Sequence, residues 1–247
     1  MTENSLVELI PGLKYILTLF IQGKRQLFLD HHLAGFDRQF RQTGIIHLCG
    51  IDEAGRGPLA GPVVAAALIL KDGMQIPGIN DSKKLDESMR ENLEPQIKEN
   101  ALSYGIGSME PHEIDRINIL QATFEAMRRA VNALSIQPEY LIVDGRDFPK
   151  FFHKQSMQAI KGSAIIKGDQ KSQSIAGASI LAKVYRDRLM INYDKYYPQY
   201  GFAKHKGYAT REHRERILKY GPCDIHRKSF LSNILHSEAT FNFHNNF

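Results

Sequence analysis

The sequence contains little of what secreted and membrane proteins require. Only two of its 247 residues are cysteines, which excludes a disulfide framework and favours a reducing compartment. The longest apolar run near the N-terminus, residues 15–21, is far shorter than the roughly 20 residues of a membrane-spanning helix. Glu3 and Glu8 precede this run, where a secretory signal would carry basic residues. We therefore expect a cytoplasmic protein that does not enter a membrane.

Motifs for nucleotide cofactors are also missing. The sequence has neither a GxGxxG nor a Walker A pattern, which argues against an enzyme that uses a nucleotide cofactor. The hydrophobic content of 43% and charged content of 24% are ordinary for a globular chain. The net charge of +5 and the pI of about 9.1 are compatible with a polyanionic partner without establishing one.

The pattern of apolar residues changes near residue 45. Residues 1–44 carry apolar side chains at helical spacing, interrupted by Pro11, which predicts an N-terminal extension of one or two short helices. The following strands and helices alternate in a way that predicts a mixed α/β sheet covered by helices, beginning with an antiparallel meander. The predicted strands lie near residues 45–51, 62–70, 102–109 and 140–143. The predicted helices are one capped by Asp81 or Ser82, and others near residues 120–134, 175–193 and 210–221.

Four acidic residues stand out because each follows an apolar strand or precedes a helix with glycine beside it. They are Asp52 and Glu53 in GIDEAGRGPLAGP, Asp144 in LIVDGRD, and Asp169 in IIKGDQKS. An acid at the end of a buried strand lies at the rim of a sheet, where ligands usually bind. The alternative is that each acid caps a turn or a helix, and Asp169 in particular could cap the helix that follows it.

If the four carboxylates converge, their mutual repulsion requires neutralising cations. A site made of oxygen ligands favours Mg²⁺ or Mn²⁺ over zinc. Two such divalent ions about 4 Å apart are the usual machinery of hydrolytic phosphoryl transfer. The sequence alone does not show that the four acids converge.

Longer motifs in the same region resemble those of bacterial ribonuclease HII, the type 2 ribonucleases H. They run in order over about residues 45–230: GIDEAGRGPLAGPVVAAALIL (50–70), DSKKL (81–85), EIDRINILQAT (113–123), VDG (143–145), KGDQKS (167–172), SIAGASILAKVYRDRLM (174–190), GFAKHKGYAT (201–210) and HRKSF (226–230). The resemblance implies a catalytic domain over residues 45–230 with a ribonuclease H-like fold and a helical C-terminal segment. Residues 231–247 are then a tail outside the match.

The resemblance also implies an activity and its partners. Members of this family cleave the RNA strand of RNA–DNA hybrids and nick duplex DNA on the 5′ side of an embedded ribonucleotide, leaving 3′-hydroxyl and 5′-phosphate ends. The implied substrates are therefore RNA–DNA hybrid and ribonucleotide-containing duplex DNA, and the implied cofactors are two Mg²⁺ or Mn²⁺ ions. A monomer suffices for this chemistry.

Particular residues take family roles by the same resemblance. The metal-binding carboxylates correspond to Asp52, Glu53, Asp144 and Asp169. The motif whose backbone groups recognise the 2′-hydroxyl corresponds to Gly55, Arg56 and Gly57. Tyr208 corresponds to the tyrosine that packs under the sugar after the ribonucleotide. Lys83 in DSKKL is a further candidate for a phosphate contact, although a lysine at an exposed helix start is also unremarkable.

Two positions depart from the family pattern. Gly177 stands where alanine is usual, and Ala209 stands where the family has glycine after Tyr208, which puts the position of that tyrosine in doubt. The basic segment 204–228 holds eight Lys or Arg and three Asp or Glu, as expected of a phosphate-binding surface or of a solvated helix face. Its histidines lack zinc-site spacing, and we expect them at the surface or behind the site.

Two alternatives remain at this point. The first is a type 3 ribonuclease H, which shares the chemistry, usually lacks the glycine-arginine-glycine triplet and carries a larger N-terminal domain. The second is a non-catalytic nucleic-acid binder with the same fold. Retention of all four acids argues against a binder, because acids facing phosphates weaken binding.

Overall fold

The computed structural model describes residues 32–79, 82–149, 160–232 and 234–235. Its centre is a five-stranded mixed sheet in the order β3-β2-β1-β4-β5. The strands are β1 (Leu48–Ala54), β2 (Val63–Leu70), β3 (Ala101–Met109), β4 (Tyr140–Asp144) and β5 (Lys161–Ile165). The first three strands form the expected antiparallel meander, whereas β4 and β5 run parallel to β1.

Helices cover both faces of the sheet and form the C-terminal segment. They are α1 (residues 32–42), α2 (Glu87–Asn100), α3 (Pro111–Ile117), α4 (Ile119–Asn132), α5 (Gln173–Tyr196), α6 (Phe202–His205) and α7 (Arg211–Tyr220). In the described residues no helix combines the length and the apolar character needed to cross a membrane. The expected mixed α/β class with a helical C-terminal segment is confirmed.

Strand β2 is buried on both faces because helices pack against each of them. Val63 and alternate residues after it join α3 and α4 in one core, while Val64 and its alternates join α2 and α5 in the other. This division follows from the two-residue repeat of a strand. The continuous apolar run of residues 63–70 is therefore typical of a central strand with two covered faces.

Helix α5 approaches the sheet very closely at the strand that carries the first acids. A Cβ on Gly50 of β1 would lie 2.3 Å from the carbonyl carbon of Ser174, so only glycine fits at this crossing. Further along α5, a Cβ on Gly177 would lie 2.5 Å from Cδ2 of Leu68. The family's usual alanine at position 177 would thus require Leu68 to move, and the glycine suits the packing in this chain.

Two expectations about secondary structure are wrong. Helix α2 begins at Glu87, and its cap is Asp86, which accepts a hydrogen bond from the Met89 N–H at 2.8 Å. Ser82 does not cap it, because its hydroxyl bonds instead to the Ser179 hydroxyl on α5, at 2.8 Å; Asp81 lies outside the described residues. Strand β5 was not expected at all.

Part of the predicted N-terminal extension packs on the sheet domain. Leu33 of α1 is fully buried in the core beside α5. Asp37 of α1 accepts hydrogen bonds from the hydroxyls of Ser172 and Ser174 at 2.5 and 2.7 Å, and from the Ser174 N–H at 2.8 Å. Residues 1–31 and most of the tail lie outside the described residues, so the boundaries at 44 and 230 stay predictions.

Candidate active site

Strands β1 and β4 carry the first and third acids to the same edge of the sheet. The two strands are parallel neighbours, and Ile51 pairs with Val143. Asp52 and Asp144 each follow one of these paired residues, so their side chains come to lie next to each other. The carboxyl ends of parallel strands meet at one edge, which is where the sequence predicted a ligand site.

Asp169 reaches this edge from a short 3-10 turn, Gly168–Gln170, that follows β5. The Gly168 N–H donates a hydrogen bond to Oδ1 of Asp144 at 2.6 Å, which ties the turn to β4. The alternative function of Asp169 as a helix cap is wrong, because Ser172 caps α5 by accepting from the Ile175 N–H at 3.1 Å.

Three of the four acids converge as expected. Asp52, Asp144 and Asp169 each offer a carboxylate oxygen, and these oxygens all lie within 4.8 Å of one another. Asp52 and Asp169 are almost completely buried, with 4% and 3% of their surface exposed. Three carboxylate donors, with no nitrogen or sulfur ligand among them, suit a hard cation such as Mg²⁺ or Mn²⁺.

The charge of this cluster is visible in its proton affinities. Burial raises the pKa of Asp52 well above its ordinary value, and the neighbouring Glu53 and Asp144 raise it further. Hydrogen bonds from the Ser179 side chain and the Glu53 N–H, the latter at 2.7 Å, act in the opposite direction. The protein groups around Asp52 therefore leave a demand for positive charge at the cluster.

Glu53 is not part of the cluster of three aspartates, although it lies close enough to interact with Asp52 and Asp144. Its carboxylate is 3.2 Å from Nη1 of Arg56. Burial raises the pKa of Glu53, Arg56 lowers it, and Asp144 raises it. Glu53, Arg56 and Asp144 line one cleft, together with the apolar side chains of Leu120 and Phe124.

Lys83 extends over the cluster from the segment before α2. Its Nζ lies 3.6 Å from Oδ2 of Asp169, while 80% of its side chain is exposed. Its neighbour Ser82 bonds to Ser179, which in turn bonds to Asp52. The DSKKL motif is thus anchored to the acidic cluster and presents a cation at its edge.

The turn after β1 contains the glycine-arginine-glycine triplet. Gly55 has a φ of +92°, and a Cβ there would lie 2.0 Å from Nε of Arg186, so the position requires glycine twice over. Gly57 differs, because a Cβ there would meet no described atom within 4 Å. The second glycine therefore borders open space.

Two buried arginines hold this turn, and the sequence analysis missed both. Arg227 donates to the carbonyls of Gly55, Arg56 and Gly61 at 2.6, 2.9 and 2.9 Å. Arg186 donates to the carbonyls of Pro62, Ala60 and Lys206 at 3.0, 3.1 and 3.0 Å. Both side chains are fully buried, and desolvation lowers the pKa of Arg227 to about 9. Arg186 thereby joins the triplet turn to the segment before Tyr208.

Tyr208 lies on the surface beside the turn, with 43% of its surface exposed. Its ring centre is 5.8 Å from Cζ of Arg186 and 5.9 Å from Nζ of Lys183. The non-glycine residues with left-handed backbone in the described part of the chain are Asn118, Lys167 and Lys206. Ala209 is not among them, so alanine at this position introduces no backbone strain next to the tyrosine.

The histidines of this region are buried, so of the two expected positions the one at the surface is wrong. His205, His213 and His226 are 8%, 0% and 2% exposed. They pack behind Tyr208, and Nδ1 of His213 is 2.9 Å from the Tyr208 carbonyl oxygen. Their packing also separates them from the acidic cluster, which contains aspartates alone.

The basic segment exposes less positive charge than its composition suggests. Arg227 is buried, and Lys206 pairs with Glu87 at 3.3 Å. Glu212 bonds to both Lys204 and Arg216, at 2.7 and 2.9 Å. The ion pairs of Glu212 and Glu215 agree with the interpretation as a solvated helix face, and the phosphate-binding interpretation stays a prediction.

Known proteins resemble this chain over the whole of the site. A sequence model of the family described as Ribonuclease HII matches residues 49–233. Ribonuclease HII of Clostridioides difficile strain 630 is 54% identical over 200 residues, which cover 81% of this chain and 76% of that protein. Ribonuclease HII of Caldanaerobacter subterraneus subsp. tengcongensis is 52% identical over 212 residues, covering 86% and 85%.

The fold has a solved counterpart as well. The crystal structure of the ribonuclease H2 from Pyrococcus horikoshii OT3 superposes with a TM-score of 0.64 at 29% identity, covering 79% of this chain and 98% of that one. The expected ribonuclease H-like fold is thereby confirmed. The family match contains all the candidate site residues, from Asp52 to Tyr208.

Proposed function

The chain belongs to the ribonuclease HII family of hydrolases, nucleases that act on RNA in RNA–DNA hybrids, and on this premise we propose its finer activity. We propose that it also nicks duplex DNA on the 5′ side of a single embedded ribonucleotide, leaving 3′-hydroxyl and 5′-phosphate ends. The observation that carries this proposal is the convergence of Asp52, Asp144 and Asp169 directly beside the triplet turn at residues 55–57. The type 3 alternative loses its support, because the matching family is type 2.

Divalent cations fit the acidic cluster. In the proposed reaction Asp52, Glu53, Asp144 and Asp169 would hold two Mg²⁺ or Mn²⁺ ions, and bound ions would supply activation of water and stabilisation of the leaving 3′ oxygen. The three clustered aspartates offer only oxygen ligands, and the raised pKa of Asp52 reflects charge that the protein leaves uncompensated. In a protein that only bound nucleic acid, these acids would repel the phosphates and weaken the binding.

Recognition of a ribonucleotide requires direct contact with its 2′-hydroxyl, the group that distinguishes RNA from DNA at one nucleotide. We assign this contact to backbone groups of Gly55, Arg56 and Gly57. The open space at Gly57 lets a sugar edge approach the main chain. The hydrogen bonds from Arg227 to the carbonyls of Gly55 and Arg56, here called the clamp of Arg227, keep the turn in one conformation. We assign a phosphate contact to Lys83, whose Nζ lies at the edge of the cluster, 3.6 Å from Oδ2 of Asp169.

Tyr208 is proposed to pack against the sugar that follows the ribonucleotide. A deoxyribose fits against a flat ring, whereas a ribose would place a hydroxyl there without a partner, which costs free energy. The half-exposed ring beside the triplet turn and the unstrained Ala209 support this assignment. The missing glycine raised the question of where Tyr208 lies, and Ala209 at least has no left-handed backbone that would demand a glycine.

All four acids come from one chain, so we propose that a monomer is active. The proposed partners are RNA–DNA hybrid and ribonucleotide-containing duplex DNA, and the proposed location is the cytoplasm. These assignments follow from the family and from the site, in which every candidate residue belongs to this chain.

The decisive experiment is cleavage of an end-labelled DNA duplex that contains one ribonucleotide. Cleavage is expected on its 5′ side with Mg²⁺ or Mn²⁺ and is expected to be absent in EDTA. Asp52→Asn should abolish turnover while binding of the duplex persists, because less negative charge faces the phosphates. Asp72→Asn is the matched control, since Asp72 lies outside the cluster and 79% of its side chain is exposed. Turnover of Asp52→Asn at the level of the control would refute the metal-site assignment.

The junction role is tested on two substrates in parallel, the single-ribonucleotide duplex and a continuous RNA–DNA hybrid. Tyr208→Ala should slow cleavage of the first by roughly ten- to a hundredfold, as expected for loss of stacking worth about 1–3 kcal/mol. Continuous hybrid should lose less, because its next sugar is a ribose. Tyr208→Phe should restore much of the rate if ring packing is the cause. Equal losses on both substrates would remove the junction role.

A further inference from the structure

Three buried histidines form a connected stack behind the Tyr208 loop. The rings of His205 and His213 are stacked at 4.3 Å between centroids. Nε2 of His213 lies 3.1 Å from Nε2 of His226, and Nδ1 of His226 lies 2.9 Å from the backbone nitrogen of Cys223. The chain of contacts therefore runs from Cys223 through two imidazoles to the carbonyl of Tyr208.

The hydrogen-bonding partners allow one arrangement of protons along this chain. The Tyr208 carbonyl can only accept, so Nδ1 of His213 carries a hydrogen and donates it. Burial lowers the pKa of both His213 and His226 to about 4, so both rings are neutral near pH 7. Nε2 of His213 then accepts from Nε2–H of His226, whose Nδ1 accepts from the Cys223 N–H. Each histidine thus fixes the tautomer of the next.

The backbone around Tyr208 is held from several sides, whereas its ring is half exposed. The Gly207 carbonyl accepts from the Leu59 N–H at 2.9 Å, and the Gly207 N–H donates to Nδ1 of His205 at 3.2 Å. In the part of the chain that the structure describes, the side chain that bonds to the backbone of residue 208 is that of His213. The Tyr208 carbonyl also accepts from the Thr210 N–H at 2.8 Å, and these contacts together hold the main chain from which the exposed ring projects.

We propose that His213 is a positioning residue for junction recognition, because its Nδ1–H fixes the Tyr208 carbonyl and thereby the ring that packs on the sugar after the ribonucleotide. This inference rests on the proposed function of Tyr208. It concerns the choice between substrates, since the stack does not contact the acidic cluster.

The test compares two substitutions that remove opposite halves of the imidazole. The amide of His213→Asn occupies the place of Nδ1 and can still donate to the Tyr208 carbonyl. The amide of His213→Gln occupies the place of Nε2, keeps the contact with His226 and loses the donor to Tyr208. Each variant retains one of the two hydrogen bonds, so their losses of stability should be similar, which thermal melts check.

The measured quantity is the ratio of kcat/KM on the single-ribonucleotide duplex to kcat/KM on continuous RNA–DNA hybrid. His213→Gln should lower this ratio by roughly two- to tenfold, as expected for one net hydrogen bond, and His213→Asn should keep it near the wild-type value. Equal ratios in the two variants would overturn the inference and leave His213 as a packing residue.

A second pair of measurements separates this inference from the function on which it rests. If Tyr208→Ala leaves the ratio unchanged, the junction role itself fails. If Tyr208→Ala lowers the ratio, adding His213→Gln to it should change the ratio no further, and an additional fall would overturn the inference.

If a His213 variant does not fold, the same question can be tested at His226, the next residue in the chain of contacts. His226→Asn removes the donor to Nε2 of His213, whereas His226→Gln keeps it. The ratio should fall in the Asn variant and hold in the Gln variant, and the opposite order would overturn the inference.

Discussion

Replacing Asp52 by asparagine should make the metal-free protein more stable, even though it should abolish cleavage. The substitution preserves the size of the side chain and keeps an oxygen that can accept from the Glu53 N–H. It removes one of three carboxylate charges that lie within 4.8 Å of one another. The perturbation is therefore almost purely electrostatic.

The magnitude follows from the geometry. Two unit charges 4.8 Å apart at an effective dielectric constant of about 20 repel by 332/(20 × 4.8), or about 3.5 kcal/mol. Burial and the charges of Glu53 and Asp144 raise the pKa of Asp52, in the direction that this repulsion requires. Each kcal/mol of repulsion that the substitution relieves raises Tm by about 2–4 °C in a chain of this size.

Thermal melts in EDTA and in Mg²⁺ provide the assay. In EDTA the variant should melt several degrees above wild type, and Asp72→Asn should melt close to wild type. Mg²⁺ at a hundred times its Kd should stabilise wild type by about 2.7 kcal/mol and the variant by much less. The difference in Tm between the two proteins should therefore shrink or change sign. A variant that melts below wild type in EDTA would refute the reasoning, because repulsion would then not dominate the cluster.

Three further outcomes follow from the geometry. Gly55→Ala should lower Tm and activity together, since its Cβ would lie 2.0 Å from a buried guanidinium, whereas Gly57→Ala should melt like wild type and yet cut a single ribonucleotide poorly. In denaturant titrations the free energy of unfolding should decline as pH falls from about 6.5 towards 4. The folded pKa values of His213 and His226 are near 4, so the unfolded chain binds more protons in this window. A free energy of unfolding that stays constant over this window would contradict the neutral stack. Asp37→Ala should cost about 1–3 kcal/mol in the same titrations by leaving buried donors unpaired, and a neutral effect would mean that α1 contributes little to the fold.

The sequence predicted best the positions of those residues that are determined by their neighbours along the chain. Asp52 and Asp144 end apolar strands, and parallel pairing of those strands is enough to bring them together. The run of residues 63–70 likewise announces a strand covered on both faces. The position of Asp169 could not be predicted in this way, because it depends on β5. The residues Lys161–Ile165 of that strand include glycine, serine and lysine and lack the apolar pattern of a strand.

Positions set by distant partners could not be predicted from the sequence. Arg227 lies in a basic segment whose composition suggests a charge at the surface. Its side chain is nevertheless buried, where it donates to three carbonyls more than 160 residues away along the chain. The start of α2 was misplaced for a similar reason, because Ser82 bonds to Ser179 on another helix. The histidines behind Tyr208 carry no local signal either, since their partners are backbone groups and one another.

The clamp of Arg227 also determines the polarity of the triplet turn. In a trans peptide the carbonyl and the following N–H point in opposite directions. Because the carbonyls of Gly55 and Arg56 both point at the buried guanidinium, the N–H groups of Arg56 and Gly57 point away from it. One side chain, more than 170 residues downstream, thus turns two consecutive peptides into a pair of outward donors, and a single substitution at Arg227 would free both peptide planes to rotate.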